Sequence, residues 1–136
     1  MAIDLFDEFA ANTNAEEEGV WEAYGDDTKF LIARATNKHY TRALTRAYEK
    51  NKRTLDGKGE AAEAVSEEIM VGVIARTILL GWEKVIYQKK PLEYSMENAR
   101  TLLAHKDFRA WVMGKANDFD RFKLAQEAED EGKSGA

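Results

Sequence analysis

The sequence has no cysteine and only one proline, Pro91, among its 136 residues. Without cysteine the chain can form neither a disulfide framework nor a zinc–thiolate site, and it has no thiol nucleophile. Long hydrophobic runs are also lacking. The most apolar stretch, residues 69–82, contains Arg76 and is shorter than the ~20 residues that a membrane span needs. The first residues mix acids with apolar side chains and lack a basic start, so we expect neither a signal peptide nor a membrane span.

A β-hairpin is predicted near the N-terminus. Residues 20–24 and 28–33 are rich in β-branched and aromatic side chains, and they flank a Gly-Asp-Asp turn signal. An isolated hairpin is marginal in water, so it must pack on helices or pair with a neighbour. One strand edge is then left unpaired.

The residues before the hairpin are expected to form a flexible arm, residues 1–18. Residues 2–10 could form one or two amphipathic turns, and residues 12–18 look like a flexible acidic connector. Two interpretations stay open: a mobile arm that docks on another subunit, or a frayed terminus.

Four helices follow in the prediction. The first begins at Asn37 and runs to about residue 53, and the second runs from about residue 60 to residue 80, where Gly81 would end it. Ser95 caps the third, and apolar spacing continues the fourth to Phe122. The predicted fold is therefore mainly α (α+β), with an N-terminal hairpin and a four-helix globular domain over residues 19–125. Residues 126–136 are charged and carry no apolar stripe, so we expect a disordered acidic tail.

The order of short motifs resembles a known family. Pro-Leu-x-Tyr-Ser-x-Glu-Asn-Ala-x-x-Leu-Leu begins at Pro91, and Phe-Arg-x-Trp-Val with an aromatic–acidic end follows it. With the Gly-Val-Trp-Glu-Ala-Tyr opening at Gly19, this pattern is similar to the small tail assembly chaperones of tailed bacteriophages over roughly residues 19–131. In that family the segment after the proline closes an all-helical C-terminal half.

The resemblance implies a non-enzymatic chaperone in the host bacterial cytoplasm. Its client would be the long helical tape measure protein, which is held soluble until tail tube subunits polymerise around it. The tail tube protein and further copies of the chain are additional candidate partners. The resemblance implies no cofactor.

No catalytic constellation is visible in the sequence. The two histidines lie in different predicted elements, Gly57-Lys58-Gly59 lacks the spacing of a P-loop, and no serine has a nucleophile-elbow context. No acidic group has the pattern of a calcium loop. We therefore expect no enzyme activity and no metal site.

A basic stripe on the first helix is one candidate binding site. Lys38, Arg42, Arg46 and Lys50 recur every four residues, on one helix face. Residues 34–58 carry eight basic side chains and two acidic ones, a local +6 in a chain of net charge −5, so the remainder carries −11. The stripe is either a solvated face attracted to the chain's own acidic termini or a surface that binds a partner.

Aromatic side chains are the second candidate. A small domain has little interior, so some of its aromatic surface is expected to stay exposed as a binding patch. We place its rim at the hairpin and at residues 81–94. The candidates are Trp21, Trp82, Tyr87 and Tyr94.

The sequence leaves two alternative functions open. A structural tail completion or joining subunit would persist in the finished particle. A small nucleic-acid-binding regulator would use the basic stripe of residues 38–53, although the acidic total charge opposes phosphate binding elsewhere and makes nucleic acid a weak candidate partner.

Overall fold

A computed structural model of the chain describes residues 2–123. The helices are α1 Leu5–Phe9, α2 Thr13–Glu18, α3 Lys38–Lys50, α4 Lys52–Asp56, α5 Glu60–Thr77, α6 Met96–Leu103 and α7 Lys106–Ala116. The strands are β1 Val20–Tyr24, β2 Thr28–Ile32, β3 Leu79–Glu83, β4 Ile86–Tyr87 and β5 Lys90–Pro91, and a 3₁₀ turn covers Phe119–Phe122. The hairpin ahead of the longer helices confirms the predicted α+β fold class. The predicted tail, residues 126–136, lies outside the described residues.

The hairpin is part of a three-stranded antiparallel sheet in the order β1-β2-β3. Val20 lies opposite Ile32, which confirms the predicted hairpin. Gly81 lies opposite Leu31 in the β2–β3 pair, so the prediction that a helix runs to residue 80 and stops at Gly81 is wrong. An apolar run of this kind fits a buried helix and a buried strand equally well, and the sheet decides the outcome.

The sheet changes two further expectations. β3, β4 and β5 all lie in the C-terminal half, so the all-helical C-terminal half that the resemblance implied is wrong. β2 is paired on both sides, and within residues 2–123 the hairpin keeps an unpaired edge only at β1.

The core lies between the inner face of the sheet and helices α5, α6 and α7. Phe30 occupies its centre, with ring centroids 5.1 Å from Phe108, 5.6 Å from Trp111 and 6.1 Å from Trp82. Other fully buried side chains are Ile32, Ile74, Ile78, Leu79, Leu103 and Val112. Aromatic pairs at these separations add to the stabilisation that area burial provides.

Helix caps follow the sequence prediction closely. The Asn37 side chain accepts a hydrogen bond from the Tyr40 backbone N–H at 3.0 Å, and Ser95 Oγ accepts one from Asn98 at 3.0 Å. The fourth helix is shorter than predicted. α7 ends at Ala116, and the last aromatic residues form the separate 3₁₀ turn.

The predicted flexible connector, residues 12–18, is helical instead. Asn12 caps α2 by accepting a hydrogen bond from Ala15 at 3.1 Å, and its own N–H donates to the Phe122 carbonyl at 2.7 Å. Asparagine at the cap with acids after it favours a helix start, which explains the difference. α2 therefore lies against the rest of the described chain. No helix in residues 2–123 is long and apolar enough to cross a membrane.

Candidate partner-binding groove

Helix α3 packs on α5, yet none of the residues of α3 is buried. Its alanines face α5, and its lysines and arginines point away or toward the margin of the contact. Small side chains on a packing face let backbones approach but leave space beside them, so the seam between the two helices is open.

An open groove of about 590 Å³ follows this seam. Its apolar lining comes from Ala43, Ala47, Val65, Ile69, Gly72 and Val73. Its charged lining consists of Arg46, Lys50, Arg76, Arg100 and Glu68, a balance of four cations against one acid. Ile69 and Val73 are buried, whereas all five charged residues are exposed. The groove thus has an apolar floor and a mainly cationic rim.

Gly72 keeps the middle of the groove open. A Cβ atom at this position would have one neighbouring side-chain atom within 4 Å, Nη2 of Arg100 at 3.7 Å. The guanidinium of Arg100, from α6, therefore reaches toward α5 beside the glycine. Three helices together build the site, since α3, α5 and α6 each supply at least one of the four cations.

The predicted basic stripe is divided in the structure. At its N-terminal end Lys38 forms an ion pair with Glu17 of α2 at 3.4 Å, and the neighbouring Arg34 pairs with Glu16 at 2.9 Å. This end matches the interpretation of a face attracted to the chain's own acidic terminus. Arg46 and Lys50 line the groove instead, and within residues 2–123 neither has an ion pair.

Arg42 is exposed and lies one turn before Arg46, outside the lining of the main groove. It borders a shallower depression that Arg46 shares. Arg76 and Arg100 were not predicted as site residues, because they lie in helices other than the stripe. The sequence did offer one indication that Arg76 is a site residue. It is a lone arginine inside the apolar run of α5, and a buried helix rarely carries an unpaired cation.

The four predicted aromatic residues do not form one rim. Trp82 is 7% exposed and its Nε1 donates to the Leu92 carbonyl at 2.7 Å, so this ring belongs to the core and holds the following loop. Tyr94 packs on it with ring centroids 5.0 Å apart, and its hydroxyl donates to the Leu79 carbonyl at 2.9 Å. Burial raises the pKa of the Tyr94 hydroxyl above its ordinary value.

The other two aromatic candidates are more accessible. The hydroxyl of the half-buried Tyr87 forms a hydrogen bond with Nε2 of His105, and the two atoms are 2.8 Å apart. Trp21 is 44% exposed on the outer face of the sheet, near Gly81. Whether any of the predicted site residues contacts a partner stays a prediction.

Two other places on the surface expose apolar side chains that were not among the predicted site residues. Ile86 is 71% and Tyr24 55% exposed, and together with Phe108 they border an open pocket of about 310 Å³. The larger set lies in and just before α1, where Ile3, Leu5, Phe6 and Phe9 are each 67–68% exposed. An amphipathic turn was predicted there, but not that its apolar side chains stay uncovered.

Titratable groups do not gather into a reactive cluster in the described part of the chain. No group of three histidine, aspartate or glutamate side chains there could hold a metal ion. The groove can bury the apolar side chains of a bound segment while its cations pair with acidic side chains of that segment. It therefore suits a segment that is amphipathic and acidic.

Comparison with known protein families identifies a match. No curated protein and no solved structure matches the chain. The family model of the YdaY prophage protein matches residues 35–133, nearly three quarters of the sequence. The match spans all residues that line the groove and leaves out the arm and the hairpin. The chain therefore belongs to the YdaY prophage protein family and is phage-derived.

Proposed function

We propose that the chain is a non-enzymatic tail assembly chaperone, which binds a segment of the phage tape measure protein in the groove between α3 and α5. One observation carries the proposal: an open groove with an apolar floor and four cations that have no ion pairs within residues 2–123. The prophage family and the resemblance of the sequence to tail assembly chaperones support the choice of client.

The groove has the balance that a reversible chaperone needs. Its apolar floor gives a helical client a place to bury the stripe that would otherwise cause aggregation. The floor is formed by small and medium side chains, so each contact is modest and the client can leave when tail tube subunits arrive. The cationic rim selects client segments with acidic flanks and speeds their association.

Co-expression with the tape measure protein tests the proposal. We expect the tape measure protein to stay soluble with this chain and to co-purify with it. Arg46→Glu should reduce the soluble yield, because it places a carboxylate at the groove margin. Arg42→Glu is the matched control, since it makes the same change on the same helix outside the groove. A tape measure protein that is equally insoluble with and without this chain would remove the proposal.

Equal effects of the two arginine variants would instead assign binding to the whole predicted stripe. Protein analysis of purified particles makes a further distinction. A chaperone is absent from the virion, whereas a completion or joining subunit persists in it.

Nucleic-acid binding is the second candidate function, and the same cations favour it. Arg46, Lys50, Arg76 and Arg100 could contact phosphates from three helices. The apolar floor and the net charge of −5 oppose it. Duplex DNA or RNA binding that weakens steeply with salt, and is lost in Arg46→Glu, would favour this function over the chaperone.

A further inference from the structure

We propose that the N-terminal part of the arm, residues 2–10, of one copy docks into the groove between α3 and α5 of a second copy and so links copies head to tail. This inference goes beyond the proposed function, because it needs only this chain and no tape measure protein. It rests on four properties of the described residues: exposure of the arm, its charge, its length, and the lining of the groove.

The arm presents apolar side chains that the rest of residues 2–123 leaves about two-thirds exposed. Ile3, Leu5, Phe6 and Phe9 are 67–68% exposed, and α1 has no buried residue. A helix of five residues is not stable in water by itself. Its contacts with the rest of residues 2–123 lie at its C-terminal end, where the Phe9 ring is 6.2 Å from Phe119 and the Glu8 carboxylate pairs with Lys123 at 3.9 Å. Just after the arm, Ala11 forms a β-bridge with Lys123. A partner that covers the apolar side chains would complete the helix.

Charge identifies that partner as the groove. The arm carries Asp4 and Asp7, which have no ion pair within residues 2–123, and Glu8, which pairs with Lys123 at 3.9 Å. No lysine or arginine occurs before Lys29. The groove carries four cations against one acid, and none of these cations has an ion pair within the described range. An acidic apolar segment and a cationic apolar groove are complementary in both respects.

Dimensions agree with this assignment. Residues 3–9 in helical conformation span about 10 Å, at 1.5 Å per residue. The part of α5 that lines the groove, from Val65 to Arg76, spans about 16 Å at the same rise. The groove is long enough for the whole apolar face of the arm.

The contact is heterologous, because arm and groove are different surfaces of the same chain. A row of copies therefore keeps one unused arm at one end and one unused groove at the other, and association continues until a ring closes or the supply of copies ends. This predicts assemblies larger than dimers rather than a symmetric pair.

Sedimentation of the purified 136-residue chain at rising concentration tests the inference. We expect the average mass of the wild type to grow past the dimer, and to fall again at high salt. Leu5→Ser/Phe6→Ser removes the apolar arm, and Arg46→Glu/Arg100→Glu reverses the rim of the groove. Each variant alone should stay monomeric, and all four positions are exposed, so circular dichroism should show an unchanged fold.

Mixing these two variants makes the test decisive. One supplies an intact groove and the other an intact arm, so the mixture should form a species of twice the monomer mass and nothing larger. Ile86→Ser, an exposed apolar position outside arm and groove, should associate like the wild type. A wild type that is monomeric at every concentration, or a mixture that stays monomeric, would overturn the inference. Either result would leave tape measure binding as a separate question, since no client is present.

Discussion

Arg121 donates two hydrogen bonds to the carboxylate of Glu22, from Nε to Oε1 and from the terminal nitrogen to Oε2. The residues are 99 positions apart in the sequence, and Glu22 is 3% exposed. The pair joins the 3₁₀ turn at the end of the described chain to β1 of the sheet. A buried carboxylate without a cation would be costly, so this contact fixes where the C-terminal aromatic turn lies.

Arg121→Met should destabilise the fold by roughly 3 kcal/mol, because it leaves the Glu22 carboxylate buried without its cation. Lys38→Met is the control, since the Lys38–Glu17 pair is partly exposed to solvent and such pairs contribute about 1 kcal/mol or less. Urea unfolding of both variants measures the difference. Equal, small losses would mean that water or another group replaces Arg121 at Glu22.

The sequence predicted local structure better than it predicted long-range contacts. The hairpin and the caps at Asn37 and Ser95 were predictable, because each depends on residues within a few positions of one another. The end of α5 was not, because strand β3 exists through its pairing with β2, about fifty residues earlier.

The candidate site likewise contains residues that local spacing predicts and residues that only long-range packing brings together. The stripe predicted Arg46 and Lys50 from helical spacing alone. Arg76 and Arg100 come from two other helices, and only the packing of α3, α5 and α6 brings them beside the stripe. The ion pair between Lys38 and Glu17 likewise required α2 to be a helix rather than a flexible connector.

Trp111→Ala should cost roughly 3 kcal/mol of stability, because the ring packs edge-on against Tyr24 at 4.9 Å and Phe30 at 5.6 Å. Trp21→Ala removes the same side chain from the outer face of the sheet, where it is 44% exposed, and should cost about 1 kcal/mol or less. Thermal unfolding compares the two. A melting temperature unmoved by Trp111→Ala would contradict the packing of α7 on the hairpin.

A glycine in the turn between β4 and β5 should stabilise the fold. Gln88 and Lys89 have φ angles of 50° and 68°, in the left-handed region that favours asparagine and glycine. Lys89→Gly should therefore raise the free energy of unfolding by about 1 kcal/mol. Lys90→Gly, the same change one residue later in β5, should lower it by a similar amount, because glycine weakens a strand. If both glycine variants lower stability in chemical denaturation, the assigned turn conformation is wrong.

Stability should fall at alkaline pH, in part through Tyr94. Burial raises the pKa of its hydroxyl in the folded chain, whereas the unfolded chain titrates near the ordinary value of about 10. The protonated hydroxyl thus contributes stability below about pH 10, and this contribution is lost as pH rises through the folded pKa. Tyr94→Phe should be less stable than the wild type at neutral pH by about 1 kcal/mol, since the hydrogen bond to Leu79 is lost.

The stability gap between Tyr94→Phe and the wild type should narrow above about pH 10. Tyr40 titrates in the same direction, because burial and then the nearby Tyr48 raise its pKa, so Tyr40→Phe should lose less stability than the wild type above about pH 10. Urea unfolding at a series of alkaline pH values checks both variants. A gap between wild type and Tyr94→Phe that is constant with pH would contradict the assignment.

Filling the groove without changing its charge separates shape from electrostatics. Gly72→Leu places an apolar side chain in the middle of the groove, where the far end of the Arg100 side chain is the one neighbour within 4 Å of the new Cβ. Gly114→Leu is the matched control, because this glycine lies in α7 and a Cβ there meets nothing within 4 Å. Both variants should gain roughly 0.5–1 kcal/mol of stability from helix propensity. Only Gly72→Leu should lose tape measure binding and self-association, as measured by co-purification and sedimentation. Retention of both activities in Gly72→Leu would place the partner surface outside the groove, and loss of both in Gly114→Leu would place it on α7.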